Sequence, residues 1–183
     1  VIPYRGSWLD FEFDPKDLVY IRIDRRRKLP ASILLRALGY STQEMLEMFY
    51  TNDLFTLTAK DIKMDLVASR LRGEQLGFDI VDSKGTVMVE TGRRVTARHI
   101  REIEKAKVKK LTVPAEYFIG RTLAHDVPDG ETGELLAEAN AVVTQELIDV
   151  LLEKKIKKLE VIYTKDLDEG ALLSETMRID ASR

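Results

Sequence analysis

Apolar and polar residues alternate with period two from Trp8 to Asp14, which sets Leu9, Phe11 and Phe13 on one face and Trp8, Asp10, Glu12 and Asp14 on the other. The sole tryptophan of the chain therefore falls on the polar face. Asp14-Pro15-Lys16-Asp17 has turn chemistry, with proline preset at its second position. Leu18-Val19-Tyr20-Ile21-Arg22-Ile23 is β-branched and apolar enough for a second strand, so a hairpin is expected. After a charged run, residues 29–38 take helical spacing, with Pro30 in the first turn and Gly39 as the stop. Ser41-Thr42-Gln43-Glu44 reads as a capping box opening a second helix to about Phe49, with Met45, Leu46, Met48 and Phe49 as its apolar face. Helix, glycine turn and helix invite a helix-turn-helix reading. That reading fails, because the second helix carries Glu44 and Glu47 and no Lys or Arg, and would repel phosphate. Two helices packed on a sheet fit better.

Beyond residue 50 the chain repeats itself at an offset of 48. Gly85–Glu90 matches Gly133–Glu138, Val95-Thr96 matches Val143-Thr144, Ile100 matches Ile148, and Lys107–Val113 matches Lys155–Val161; of the 29 paired positions from residue 85 to 113, ten are identical. A shorter signature recurs three times, beginning at Gly73, Gly120 and Gly170. Each unit reads as strand, turn, strand, short helix, strand. Thr96 and Thr144 are the expected N-caps. Ile100 and Ile103, and Leu147, Ile148, Leu151 and Leu152, form the inward helix faces. Two or three copies suit a compact pseudo-symmetric module better than an open solenoid.

Composition narrows the chemistry. The 183 residues include no cysteine, so neither a disulfide framework nor a thiolate metal site is possible. No apolar run approaches a membrane span, and no signal-peptide pattern opens the chain. Charge is divided unevenly: residues 1–40 hold eight Lys/Arg against five Asp/Glu, and the remainder holds 21 against 26. The N-terminal end is thus the one suited to nucleic acid. His99 and His125 are too few for a metal site, and the Asp126–Gly133 segment lacks the alternating acids of a calcium loop. A tight hairpin turn explains that segment. No phosphate-binding glycine loop or nucleophile elbow is present. Asp10, Glu12 and Asp14 read as a solvated strand face. The Lys107/Lys109/Lys110 and Lys155/Lys157/Lys158 clusters read as solvated loops, tempered by neighbouring glutamates.

The run Arg25-Arg26-Arg27-Lys28 sits between the second strand and the first helix. Four like charges on so short a connection need water or a polyanion, and guanidinium forks match phosphate oxygens. An outward Trp8 beside such cations is the combination that holds single-stranded nucleic acid, by base stacking plus backbone neutralisation. A solvated basic loop, and a Trp8 capping a core edge, are the plainer readings.

Tyr4-Arg5-Gly6-Ser7-Trp8-Leu9-Asp10-Phe11-Glu12, followed by Arg22–Ala31, closely resembles the lobe region of the bacterial RNA polymerase β subunit. The resemblance continues through Leu71–Glu74, Gly92–Ile100 and Ser174-Glu175-Thr176, and so spans essentially the whole chain. It implies an excised piece of a several-fold longer cytoplasmic, nucleoid-associated subunit, and a start at Val1 agrees. The expected fold class is α+β. Residues 1–50, with 170–183 returning to them, would belong to the lobe. Residues 51–169 would be a proteobacterial lineage-specific insertion built from about two repeats. The resemblance further implies a non-catalytic part of a nucleotidyltransferase whose magnesium is bound by another subunit. In that family the lobe walls the downstream DNA channel and touches the non-template strand. Carried over, Trp8 would stack on an unpaired base, Arg25, Arg26, Arg27 and Lys28 would neutralise phosphates, and Arg5 would be a weaker contact. Partners would be DNA and the remaining β, β′, α, ω and sigma subunits. The alternative is a docking module for secondary-channel regulators, with DNA contact incidental.

Overall fold

The computed structural model describes residues 1–165 and 170–182. The alternating N-terminal segment forms β1 (Leu9–Phe13), paired antiparallel with β2 (Val19–Ile23) in a register running from Leu9↔Ile23 to Phe13↔Val19. The Asp14 carboxylate closes their turn, accepting from the N–H of Lys16 at 2.8 Å and of Leu18 at 3.0 Å. The two-residue strand β3 (Leu29–Pro30) adds to the far edge of β2. Pro30 therefore lies one step earlier than a first-turn position. It ends an edge strand, where a missing N–H is tolerated, and caps α1 (Ala31–Ala37). Helix α2 (Thr42–Phe49) opens on the expected capping box: Ser41 Oγ accepts from the Glu44 N–H at 3.2 Å, and the Glu44 carboxylate accepts from the Ser41 N–H at 2.8 Å.

The apolar face of β1 is in register but poorly covered. Phe11 and Phe13 are 52% and 67% exposed. With Leu34, Leu35, Phe49 and Leu172 they line an apolar groove of about 520 Å³. Met48 and Phe49 on α2 are likewise exposed, whereas Met45 and Leu46 are buried. Period two reports which side chains share a face. It does not report whether anything packs against that face.

The next segment builds a four-stranded antiparallel sheet. The hairpin β4 (Asn52–Leu57) and β5 (Ile62–Asp65) occupies its centre. A 3-10 turn (Ala68–Leu71) leads to β6 (Ile80–Val81), β7 (Val87–Val89), α3 (Ala97–Lys105) and β8 (Lys110–Val113). The short helix α4 (Ala115–Phe118) leads to β9 (Val127–Pro128), β10 (Leu135–Ala137), α5 (Gln145–Glu153) and β11 (Lys158–Ile162). Strands β8 and β11 close the two units on opposite edges, giving the order β11-β4-β5-β8.

The units match in backbone detail. Thr96 Oγ1 and Thr144 Oγ1 accept from the N–H groups of His99 at 3.4 Å and Leu147 at 3.2 Å. Lys107 and Lys155, which follow the two helices, both take left-handed φ, 53° and 56°. Gly73 and Gly120 donate to the carbonyls of Val95 at 2.8 Å and Val143 at 2.9 Å. The glycines are 47 residues apart and their valine partners 48, because the second hairpin turn holds one more residue. Asp82 N–H reaches Thr86 O, whereas Asp129 N–H reaches Glu134 O. The third signature differs. Gly170–Met177 does not begin a third unit; it runs into helix α6 (Leu172–Ile179).

One apolar cluster, from Phe55 to Val161, lies wholly within the repeated region. A second joins Met45, Leu46, Leu173 and Met177 to Ala124, Ala139 and Ile162 of that region. Helix α6 packs against α1, α2 and β2. Thr176 Oγ1 accepts from the Val19 N–H at 2.9 Å, and Ser32 Oγ donates to Asp180 Oδ2 at 2.7 Å. The α+β expectation holds, with six α-helices and small antiparallel sheets among the described residues.

Candidate nucleic-acid interface

The β1/β2 register decides where the candidate residues meet. Because Leu9 opposes Ile23, the residues before β1 and after β2 share one end of the sheet. Trp8 N–H donates to Asp24 Oδ1 at 2.8 Å, and Asp24 N–H donates to Trp8 O at 3.0 Å. The tryptophan is thus tied directly to the residue that opens the basic run. Trp8 is 45% exposed. The Ser7 hydroxyl and the Trp8 N–H hold the Asp24 carboxyl below the usual carboxylate range, with a smaller contribution from Arg26 opposed by partial desolvation.

The loop itself turns sharply. Asp24 and Arg25 both take left-handed φ, 51° and 55°, and Arg26 N–H closes the turn on Ile23 O at 3.1 Å. Two consecutive positive φ values define a type I′ geometry, which normally calls for Asn-Gly. Aspartate tolerates the region; arginine does so at a cost of order 1 kcal/mol. The turn is pinned from below by Arg22. Its Nε meets Glu12 Oε1 at 2.7 Å and its Nη1 donates to Arg26 O at 2.9 Å. Glu12, expected on a solvated face, is therefore a support for the loop.

The four cations are not equivalent. Arg25, Arg26 and Arg27 are exposed and have no ion-pair partner among the described residues. Lys28 Nζ lies 4.3 Å from the centre of the Tyr20 ring, an arrangement that fixes its direction. Arg5 is exposed in the segment between Val1 and Leu9, whose ends meet through Leu9 N–H to Val1 O at 3.0 Å. Gly6 beside it has φ 127°, a conformation few side chains permit. The structure therefore brings Trp8 to Asp24 and Arg25, and leaves Arg5 on a separate bend of the same end.

The histidines are both accounted for by protein partners. His99 Nδ1 accepts from the Thr96 N–H at 3.1 Å, completing a capping box. His125 lies between Glu160 at 2.7 Å and Glu47 at 3.4 Å, and so joins the repeated region to α2. Nothing in the sequence marked that bridge, because its members are far apart along the chain. No group of three or more His, Asp or Glu among the described residues is arranged to hold a metal. Asp10, Glu12 and Asp14 do not converge: Glu12 pairs with Arg22 and Asp14 closes its own turn, so these residues do not fit a magnesium site. No helix among the described residues is long and apolar enough to cross a membrane.

The β1/β2 sheet thus carries an exposed tryptophan tied through its backbone to a basic turn. The family comparison supplies the class: the model of RNA polymerase Rpb2, domain 2, matches residues 1–116. The chain belongs to that family, as part of the lobe domain of the β subunit of DNA-directed RNA polymerase, a nucleotidyltransferase. The match runs through the N-terminal sheet, the first repeat unit and β8, and ends in α4.

Proposed function

We propose that this chain forms a wall of the downstream DNA channel and contacts the non-template strand. Trp8 is the platform for an unpaired base, and Arg25, Arg26 and Arg27 neutralise adjacent phosphates, with Lys28 and Arg5 as lesser contacts. The observation that carries this reading is the reciprocal pairing of the Trp8 backbone with Asp24, which ties that strand end to the basic turn. A free loop would have to be ordered on binding. This one is held in place by Asp24, Arg22 and Glu12. We also propose that residues 51–169 are a lineage-specific insertion; an apolar cluster that closes within Phe55–Val161 supports a separate unit, although the family match covers this span as far as residue 116.

The test is Trp8→Ala in the whole polymerase. Stacking is worth about 1–3 kcal/mol per base, so open-complex lifetime should fall by roughly 5- to 150-fold. Trp8→Phe and Trp8→Tyr retain a π face and should recover part of the loss. The melting temperature of the 183-residue chain is the control and should barely move. A large drop in melting temperature with an intact open complex would make Trp8 a packing residue.

A further inference from the structure

The two repeat units meet at a cavity where their symmetry of position is not a symmetry of chemistry. Arg70 in the 3-10 turn and Tyr117 in α4 occupy corresponding positions, as do Glu74 and Arg121, which follow Gly73 and Gly120. These four side chains, with Asp53 of β4 and Tyr163 beyond β11, line a cavity of about 290 Å³. That is the small end of the range for ligand sites.

Its cations are placed before any ligand arrives. Asp53, only 6% exposed, accepts from Arg70 Nη1 at 2.5 Å and from Arg121 Nη1 at 3.2 Å. Arg70 also donates to Asn52 O at 2.9 Å, and Arg121 Nε to Tyr117 O at 3.2 Å. Each guanidinium plane lies over a tyrosine: Arg70 on Tyr163 at 4.6 Å, Arg121 on Tyr117 at 4.5 Å. At the rim, Lys165 Nζ donates to Arg72 O at 3.0 Å and stands 3.8 Å from the Glu74 carboxylate.

One carboxylate shared by two guanidiniums neutralises only one of them. Counting Lys165 and Glu74 as well, the described lining residues keep one net positive charge. A guanidinium has five N–H donors, and the hydrogen bonds of Arg70 to Asn52 O and Asp53 both use Nη1, which leaves donors on its other nitrogens. Two guanidiniums fixed side by side, one with spare donors, suit a planar or tetrahedral oxyanion.

We propose that this cavity binds a small oxyanion, a carboxylate or phosphate group, held by Arg70 and Arg121 with Lys165 at the entrance. The site is independent of the Trp8 end, which lies on a different sheet. The test is a ¹H–¹⁵N NMR titration of the full chain with inorganic phosphate and, separately, with acetate, at constant ionic strength. Saturable shifts confined to Arg70, Arg121 and the backbone near Gly73 and Gly120 are expected for at least one anion. Phosphate alone saturating identifies a phosphate site, and acetate alone a carboxylate site. Lys165→Gln should weaken the midpoint about threefold and Glu74→Gln should tighten it about threefold, the effect of one exposed charge several ångströms away at water-like dielectric. Both are rim positions, so the melting temperature should hold. The proposal is overturned if neither anion saturates, if Arg25–Arg27 shift with the same midpoint, or if neither variant moves it.

Discussion

Asp180 offers the sharpest energetic test of how the C-terminal helix is held. Its carboxylate is 2% exposed and sits where the end of α6 meets α1. Burial alone would raise its pKa. Hydrogen bonds from the Ser182 hydroxyl, the Ser32 hydroxyl, the Ser182 N–H and the Arg36 guanidinium outweigh burial and bring it down to about 2, against an ordinary value of 3.8. The folded pKa is depressed, so the charged form stabilises the fold. That stability is present in full above the unfolded value near 4 and is lost as pH falls through about 2. A shift of nearly two units corresponds to about 2 kcal/mol.

Asp180→Asn keeps the shape and removes the charge. In urea melts the variant should be less stable than the parent by about 2 kcal/mol at neutral pH, and the gap should close as pH approaches 2. Asp24 and Asp129 are also held below their ordinary range, but they titrate alike in both proteins and cancel in the difference. Asp180→Ala should cost more, since it leaves Ser32 and Arg36 without their acceptor. A gap that stays constant across the acid range would refute the reasoning, because a packing defect has no reason to titrate.

Two further outcomes follow from the same geometry. Reversing Arg25, Arg26, Arg27 and Lys28 to Glu should weaken open complexes about equally on different promoters, and should lower the log–log salt slope by roughly two to three if about three phosphates are involved; an unchanged slope would point to a folding or protein-contact role. Residues 51–169 expressed alone should melt cooperatively, because the cluster from Phe55 to Val161 needs no residue outside that span. A broad, non-cooperative transition would show that the region depends on α2 and α6 for its fold.

Features set by near neighbours in sequence were legible, and features set by distant partners were not. The capping box at Ser41, the caps at Thr96 and Thr144 and the Asp14 turn each rest on side chains reaching backbone within four residues. The strand order β11-β4-β5-β8 rests on pairings such as Val161 with Asp53, which no local pattern encodes. At the Trp8 end of the β1/β2 sheet the sequence singled out Trp8 and the arginines as candidates, yet placed neither Asp24 nor Arg22. Asp24 looked like one more acid before a basic run, and only the register showed that it faces Trp8. Lys28 counted as a fourth free cation until Tyr20 was found beneath it. The third Gly170 signature misled for a related reason. A short pattern of leucines and a glycine is compatible with a loop or a helix start, and packing against α1 and β2 selects the helix.

The repeat separates what a backbone requires from what a surface is free to vary. The positions that agree between units answer to geometry: the threonine caps, the left-handed lysines after each helix, and the glycines that pair with Val95 and Val143. The exposed helix positions follow no such constraint, and here they invert. Arg98, Arg101 and Lys105 on α3 correspond at the offset of 48 to Glu146, Asp149 and Glu153 on α5. Glu102 and Glu104 offset part of the charge on α3, with Arg98 paired to Glu102, so α3 is mixed in charge where α5 is acidic. Two units of one shape therefore do not make two equivalent binding faces. The cavity between them follows the same logic: matched positions carry Arg70 opposite Tyr117 and Glu74 opposite Arg121, so a pseudo-symmetric frame yields one asymmetric cavity.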